Sequence, residues 1–187
     1  MVFCNRTSGS GGVNDFLQSV EKRAYQMAHF ATGNPEEALD VVQDAMMAFV
    51  RKYTDKPEEE RRPLFFTILQ NRIRDWHRRQ NVRNRWNAWW VGKFRTDDED
   101  ADPVQDLADP RGLTPEKALT DSATGNALHG AIRRLPLRQQ QAFLLRSWEE
   151  LSVAETARAM GCSEGSVKTH HSRAVQALRE MLKDEWP

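Results

Sequence analysis

Residues 151–183 read LSVAETARAMGCSEGSVKTHHSRAVQALREMLK. Ser152 and Glu155 have the spacing of a capping box, in which a hydroxyl and a carboxylate satisfy backbone N–H groups at opposite ends of a first helical turn. A short helix is therefore expected to run to Met160. Gly161 follows it and supplies the left-handed turn that a residue with a Cβ adopts only at a cost. Ser163 then caps a second helix three residues after the first ends. That is the spacing of a helix-turn-helix, whose second helix lies in a DNA major groove and meets base edges with its N-terminal residues.

On the second helix, Val167, Ala174, Leu178 and Met181 fall on the inward face, and the exposed positions near its start are Glu164, Ser166, Lys168, Thr169, His170 and Arg173. Small hydroxyls and basic groups there suit contacts to bases and phosphates. A plain helical hairpin with a solvated basic face is the bland alternative, and so many DNA-compatible side chains on one face weigh against it. His171 lies near the inward face and reads as a packed histidine, whereas His170 points outward.

Working outward, the whole chain reads as all-α. Its 187 residues hold three Ile, and the apolar residues recur at helical rather than alternating spacing. Residues 1–13, with their Gly/Ser-rich stretch, read as disordered. A first helix over 14–32 places Phe16, Leu17, Val20, Ala24, Met27 and Ala28 on one face. Asn34-Pro35-Glu36-Glu37 is a helix start, with an N-cap, a proline at the first helical position and a capping-box glutamate. Its helix buries Val42, Met46, Phe49 and Tyr53, and turns Asp40, Gln43, Asp44 and Met47 outward. Residues 54–62 read as a polar loop, and Pro63 as the opening of a third helix with Phe65, Phe66, Leu69, Ile73 and Trp76 spaced for burial.

Two domains are expected, 14–96 and 114–187, joined by an acidic linker over 97–113 that breaks every periodicity. Beyond Pro136 the second domain should carry a helix with Ala142, Phe143, Leu145 and Trp148 on its apolar face. Formal charge is zero overall, with 27 basic and 27 acidic residues, but it is strongly segregated: residues 61–95 carry a net +9 and residues 96–121 a net −7. The global balance excludes a histone-like coat or a polybasic membrane binder, and the +9 block asks for an anionic partner. Within it Trp86, Trp89, Trp90 and Phe94 alternate with Arg83, Arg85, Lys93 and Arg95. Those rings could stack on unpaired bases, or Trp86, Trp89 and Trp90 could form a helix face packed on the first domain or on an inhibitor, which their spacings favour.

Cys4 and Cys162 give neither a disulfide framework nor metal-ligand spacing. The longest apolar run, Ala45–Val50, is far short of the ~20 residues a membrane span needs. A soluble cytoplasmic protein is expected, without membrane insertion, metal or cofactor. Five histidines are scattered, and no HExxH, glycine-rich phosphate loop or GxSxG occurs, so no enzyme is expected.

The stretch LPLRQQQAFLLRSWEELSVAETARAMGCSEGSVKTHHSRAVQALREML resembles region four of a bacterial sigma factor. EEALDVVQDAMMAFVRKY resembles region 2.2, and LFFTILQNRIRDWHRR resembles regions 2.3 and 2.4. Their order and short linker are similar to the extracytoplasmic-function group of the sigma-70 family. The resemblance implies an alternative sigma factor that binds core RNA polymerase, through the clamp helices of the largest subunit and the beta-subunit flap. Asp40, Gln43, Asp44 and Met47 match the clamp-binding positions. It implies promoter DNA as a partner in two forms: duplex at the minus-35 element, read by region four, and single-stranded at the minus-10 element. Asp55, Lys56, Arg61, Arg62, Asn71, Arg74, Asp75, Arg78 and Arg79 match the minus-10 positions. An anti-sigma factor is implied as inhibitor, and association with the nucleoid within the holoenzyme. Where the family commonly has an arginine and an aliphatic residue, this chain has His170-His171. A stand-alone helix-turn-helix regulator, binding duplex DNA without polymerase, is the competing reading. An adaptor that does not open promoters is a third.

Overall fold

The computed structural model describes the backbone of residues 9–90 and 123–183, with side-chain surroundings over 12–83 and 127–183. The described residues are helical and contain no strand, in agreement with an all-α reading. The chain divides into two compact units, Met1–Arg74 and Asp75–Pro187, the division falling inside a long helix. The acidic segment 97–113, the start of the second domain at residue 114, and the side chains of Arg85, Trp86, Trp89, Trp90, Lys93, Phe94 and Arg95 lie outside the described residues.

The first unit contains α1 (Gly9–Thr32), α2 (Pro35–Tyr53) and the first half of α3 (Glu58–Trp90). α1 stops at Gly33, whose φ of 70° is the left-handed conformation and whose N–H reaches the His29 carbonyl at 2.9 Å. One residue later Asn34 caps α2 as expected, its Oδ1 accepting from Glu36 N–H at 2.8 Å and from Glu37 N–H at 3.4 Å. The core is aromatic. Phe49, Phe65 and Phe66 are fully buried, and the Phe49 and Phe65 rings meet edge to face with centroids 6.0 Å apart. Half-buried Phe16 of α1 touches both, at 5.3 and 6.0 Å. Val20, Ala24, Met27, Ala28, Leu69 and Ile73 complete the core, while Leu17, Met46, Tyr53 and Trp76 are half-buried. α2 also buries Ala38, Val41 and Ala45, small residues that let its neighbours approach.

Two boundaries differ from expectation. α1 begins at Gly9, inside the segment read as disordered, because Val13 is buried and Arg61 donates to the Gly12 carbonyl. α3 begins at Glu58, inside the stretch read as a loop. Glu58, Glu59 and Glu60 fill its first turn, where carboxylates are stabilised by the partial positive charge of the helix end. Pro63 sits in the second turn, where its missing N–H costs a single early hydrogen bond.

The second unit holds α4 (Ala123–Arg134), α5 (Leu137–Phe143), a π-helical turn (Leu144–Trp148), α6 (Val153–Met160) and α7 (Glu164–Met181). Ile132, Leu135, Ala142, Leu144, Leu145, Leu151, Ala159, Met160, Val167, Ala174 and Leu178 make its core. The helix that follows Pro136 widens at Leu144. Glu149 N–H bonds the Leu144 carbonyl at 3.0 Å, and Leu151 N–H bonds the Leu145 carbonyl at 3.0 Å. The widened turn buries both Leu144 and Leu145 and leaves Phe143 and Trp148 half-buried. Glu150 leaves the turn at a φ of 56°, the left-handed region that glycine occupies more readily.

Candidate nucleic-acid interface

The helix-turn-helix is built by short-range chemistry. Ser152 N–H donates to Glu155 Oε2 at 2.8 Å and Ser152 Oγ to the same oxygen at 2.6 Å, while Glu155 N–H donates to Ser152 Oγ at 3.2 Å. The Ser152 side-chain and backbone donors hold the Glu155 carboxyl below the ordinary carboxylate range, with nearby Arg158 adding to them against the opposing effect of burial. Gly161 closes α6 at φ 64° and ψ 42°. Ser163 Oγ caps α7 by accepting from Ser166 N–H at 3.1 Å.

Of the expected contacts on α7, Glu164, Lys168, Thr169 and Arg173 are exposed, and Ser166 and His170 are half-buried. The Ser166 hydroxyl is 2.9 Å from Ser163 Oγ, and the Thr169 hydroxyl donates to the Gly165 carbonyl at 3.0 Å. With about 100° per residue, the direction opposite the buried stripe is occupied by Thr169, Ser172 and Gln176, with Arg173 beside them. Ser172 and Gln176 were not singled out from sequence, although the same angular count points to them. Gln176 and Arg173, with Gln139, Ala177 and Glu180, line an open groove between α5 and α7.

His171 is half-buried, as its inward position suggested. Its ring lies nearly parallel to Phe143 at 6.4 Å, and its Nε2 is 2.9 Å from Ser147 Oγ of the π turn. Burial first, and the Arg146 cation second, lower its pKa below the ordinary 6.5.

On α3, Asn71, Arg74, Asp75, Arg78 and Arg79 fall within about 140° of the helix circumference, centred opposite Phe66, Leu69 and Ile73. Asn71, Arg78 and Arg79 are exposed, and Arg74 and Asp75 are half-buried. They also bond one another: Arg74 Nη2 donates to the neutral Asn71 Oδ1, and Arg78 Nη2 forms an ion pair with Asp75 Oδ1 at 3.0 Å. The structure thus brings these five residues to one face. Asp55 and Lys56 are exposed in the turn before α3, with Lys56 Nζ 3.1 Å from Glu60 Oε2. Arg61 and Arg62, on the first turns of α3, are half-buried.

Asp40, Gln43, Asp44 and Met47 are all exposed on α2, opposite its buried stripe. Met47 is 52% exposed, and beside these residues the helix also exposes Leu39 and Val50, at 50 and 45%. The exposed face of α2 thus combines apolar side chains with carboxylates. Leu39 and Val50 were not singled out from sequence; their position off the buried stripe was the signal. Among the described residues no cluster of His, Cys, Asp and Glu could hold a metal ion, and no helix is long and apolar enough to cross a membrane.

A helix-turn-helix unit following an arginine-faced helix defines a DNA-binding transcription protein. The sigma-70 region 2 model matches residues 13–83, and the sigma-70 region 4 model matches residues 125–178. The chain belongs to the sigma-70 family, in its extracytoplasmic-function group. It is 28% identical over 176 residues to the RNA polymerase sigma-E factor of Streptomyces antibioticus, covering 92% of this chain and 87% of that protein. To the ECF RNA polymerase sigma factor SigW of Bacillus subtilis it is 27% identical over 171 residues, 91% of this chain and 88% of that one. The sigma factor RpoE of Bartonella quintana, solved in complex with the anti-sigma factor NepR, shares the fold with a TM-score of 0.60. That match has 23% identity and covers 91% of this chain and 98% of that one.

Proposed function

We propose that this alternative sigma factor binds core RNA polymerase through α2, opens the minus-10 element with α3 and the turn before it, and reads the minus-35 duplex with α7. The observation that carries the reading is the order of two sigma regions along one chain, each presenting an exposed face of the chemistry its step requires.

On α2, Leu39, Met47 and Val50 supply desolvation energy against the clamp helices, while Asp40, Gln43 and Asp44 set register and exclude wrong partners. Region four would meet the beta-subunit flap. On α3, Arg74, Arg78 and Arg79, with Arg62 at its start, neutralise phosphates, and Asn71 and Asp75 hold the arginines in place or bond base edges. Asp55 and Lys56 offer an acceptor and a donor to an unstacked base. On α7, Lys168 and Arg173 contact phosphates, and Glu164, Ser166, Thr169 and His170 face base edges. The binding energy of the polymerase complex offsets unpairing of the minus-10 bases. Control is by an anti-sigma factor covering the polymerase-binding faces, a reading supported by the complex in which the Bartonella quintana relative was solved. The protein acts in the cytoplasm, at the nucleoid when in holoenzyme, and performs no catalysis itself.

The test is promoter binding and single-round run-off transcription with and without core polymerase. Tight, specific binding and initiation only with core polymerase are expected. Strong specific binding by the free chain, with no transcription on adding core enzyme, would favour a stand-alone regulator.

A further inference from the structure

Arg61 was expected to meet DNA, yet its guanidinium is occupied within the first unit. Nε donates to the Lys56 carbonyl at 2.9 Å, and Nη1 donates to the Gly12 carbonyl at 3.0 Å. The second bond spans 49 positions in sequence and joins the first turns of α1 to the first turn of α3. A Cβ at Gly12 would make an ordinary van der Waals contact with Nη1, at 3.5 Å, so the bond is to the backbone and does not require a glycine there. The other bond fixes the turn between α2 and α3 from behind. Lys56 N–H bonds the Tyr53 carbonyl at 3.2 Å, and the Lys56 ammonium pairs with Glu60, so Asp55 and Lys56 stand on a turn tied down at each end.

We infer that Arg61 is a positioning residue: it clamps the 54–57 turn to the start of α1 so that Asp55 and Lys56 present a fixed pair of polar groups to an unpaired minus-10 base. The inference rests on the sigma reading and adds how base choice at that position is made. A forked guanidinium can bridge two carbonyls in a set geometry, whereas a lysine ammonium keeps the charge but not the fork. A phosphate contact needs mainly the charge, so the two roles respond differently to the same substitution.

The experiment uses holoenzyme reconstituted with the full chain as wild type, Arg61→Lys or Arg61→Gln. The probe is a fork-junction DNA library randomised over the unpaired minus-10 stretch and, separately, over the minus-35 duplex. Both variants are expected to lose about tenfold in preference at one unpaired position. They keep the minus-35 preference and the slope of log affinity against log salt. Amide exchange of Thr54, Asp55 and Lys56 in the free Arg61→Lys chain should quicken while the α2 core stays protected. A lysine variant with wild-type preference, or a glutamine variant whose salt slope falls by about one, would overturn the clamp in favour of a phosphate contact. Unchanged preference in both variants would overturn it as well, as would general loss of α2 protection in the lysine variant. If wild-type holoenzyme selects no minus-10 sequence at all, the sigma reading fails rather than the clamp.

Discussion

The two units reach stability by different routes. In the first, three long helices close around Phe16, Phe49, Phe65 and Phe66, and the regular helical surface left outside carries the functional side chains. In the second, α5 and α6 have seven and eight residues, too short to be stable alone, and their ends are fixed by a capping box, a left-handed glycine, a serine cap and a π turn. Changes in the first unit should therefore act through packing, and changes in the second through single backbone positions.

The largest effect expected from this contrast is Phe65→Ala. It removes a fully buried ring that meets three other aromatics, and should cost about 3–5 kcal/mol. Amide exchange across α1, α2 and the first half of α3 should accelerate together; a loss confined to α3 would show that the aromatic cluster does not unite the unit.

Gly161→Ala comes next. Placing a Cβ at φ 64° should cost about 1–2 kcal/mol, with faster exchange in α6 and the start of α7. The opposite substitution in the same unit, Glu150→Gly at φ 56°, should be neutral or stabilising, since it relieves the same strain. Thermal midpoints of the two variants moving in the same direction would break the claim that single backbone conformations govern this unit.

The smallest effect is the pH response of α7. The folded-state pKa of His171 lies below the ordinary 6.5, so the stability it contributes is complete above that pH and is lost as pH falls through the lowered value. Glu155 behaves in the same sense below its ordinary 4.5. Exchange of α7 amides should quicken modestly as pH is lowered from 6.5, after correction for intrinsic rates, and His171→Gln should flatten that window. An equally steep response in the variant would place the titrating group elsewhere.

The same contrast governs how much the sequence disclosed. Ser152, Glu155, Gly161 and Ser163 act on neighbours within four positions, so the helix-turn-helix was legible residue by residue. The exposed face of α2 followed from periodicity, and that of α3 from the resemblance to regions 2.3 and 2.4. The start of α1 did not, because Gly9–Gly12 has poor helix propensity and is held by a partner 49 positions away. Nor did the start of α3, since Glu58, Glu59 and Glu60 look like a solvated loop until the helix end beside them is known. Gln70 is another omission: its period places it inside, its polarity suggests outside, and it is 1% exposed with Nε2 4.0 Å from Met27 Sδ. The π turn was hidden because a gain of one residue per turn shifts which leucines are buried without any residue that marks it.

The division of labour between α3 and α7 is tested most directly by permanganate reactivity of minus-10 thymines in promoter complexes formed with core polymerase. Arg78→Ala/Arg79→Ala should abolish most of the thymine reactivity while the minus-35 footprint persists. Lys168→Ala/Arg173→Ala should weaken the footprint and the opening together. Loss of the minus-35 footprint with full minus-10 reactivity in the α3 variant, or unaffected binding in the α7 variant, would contradict the account.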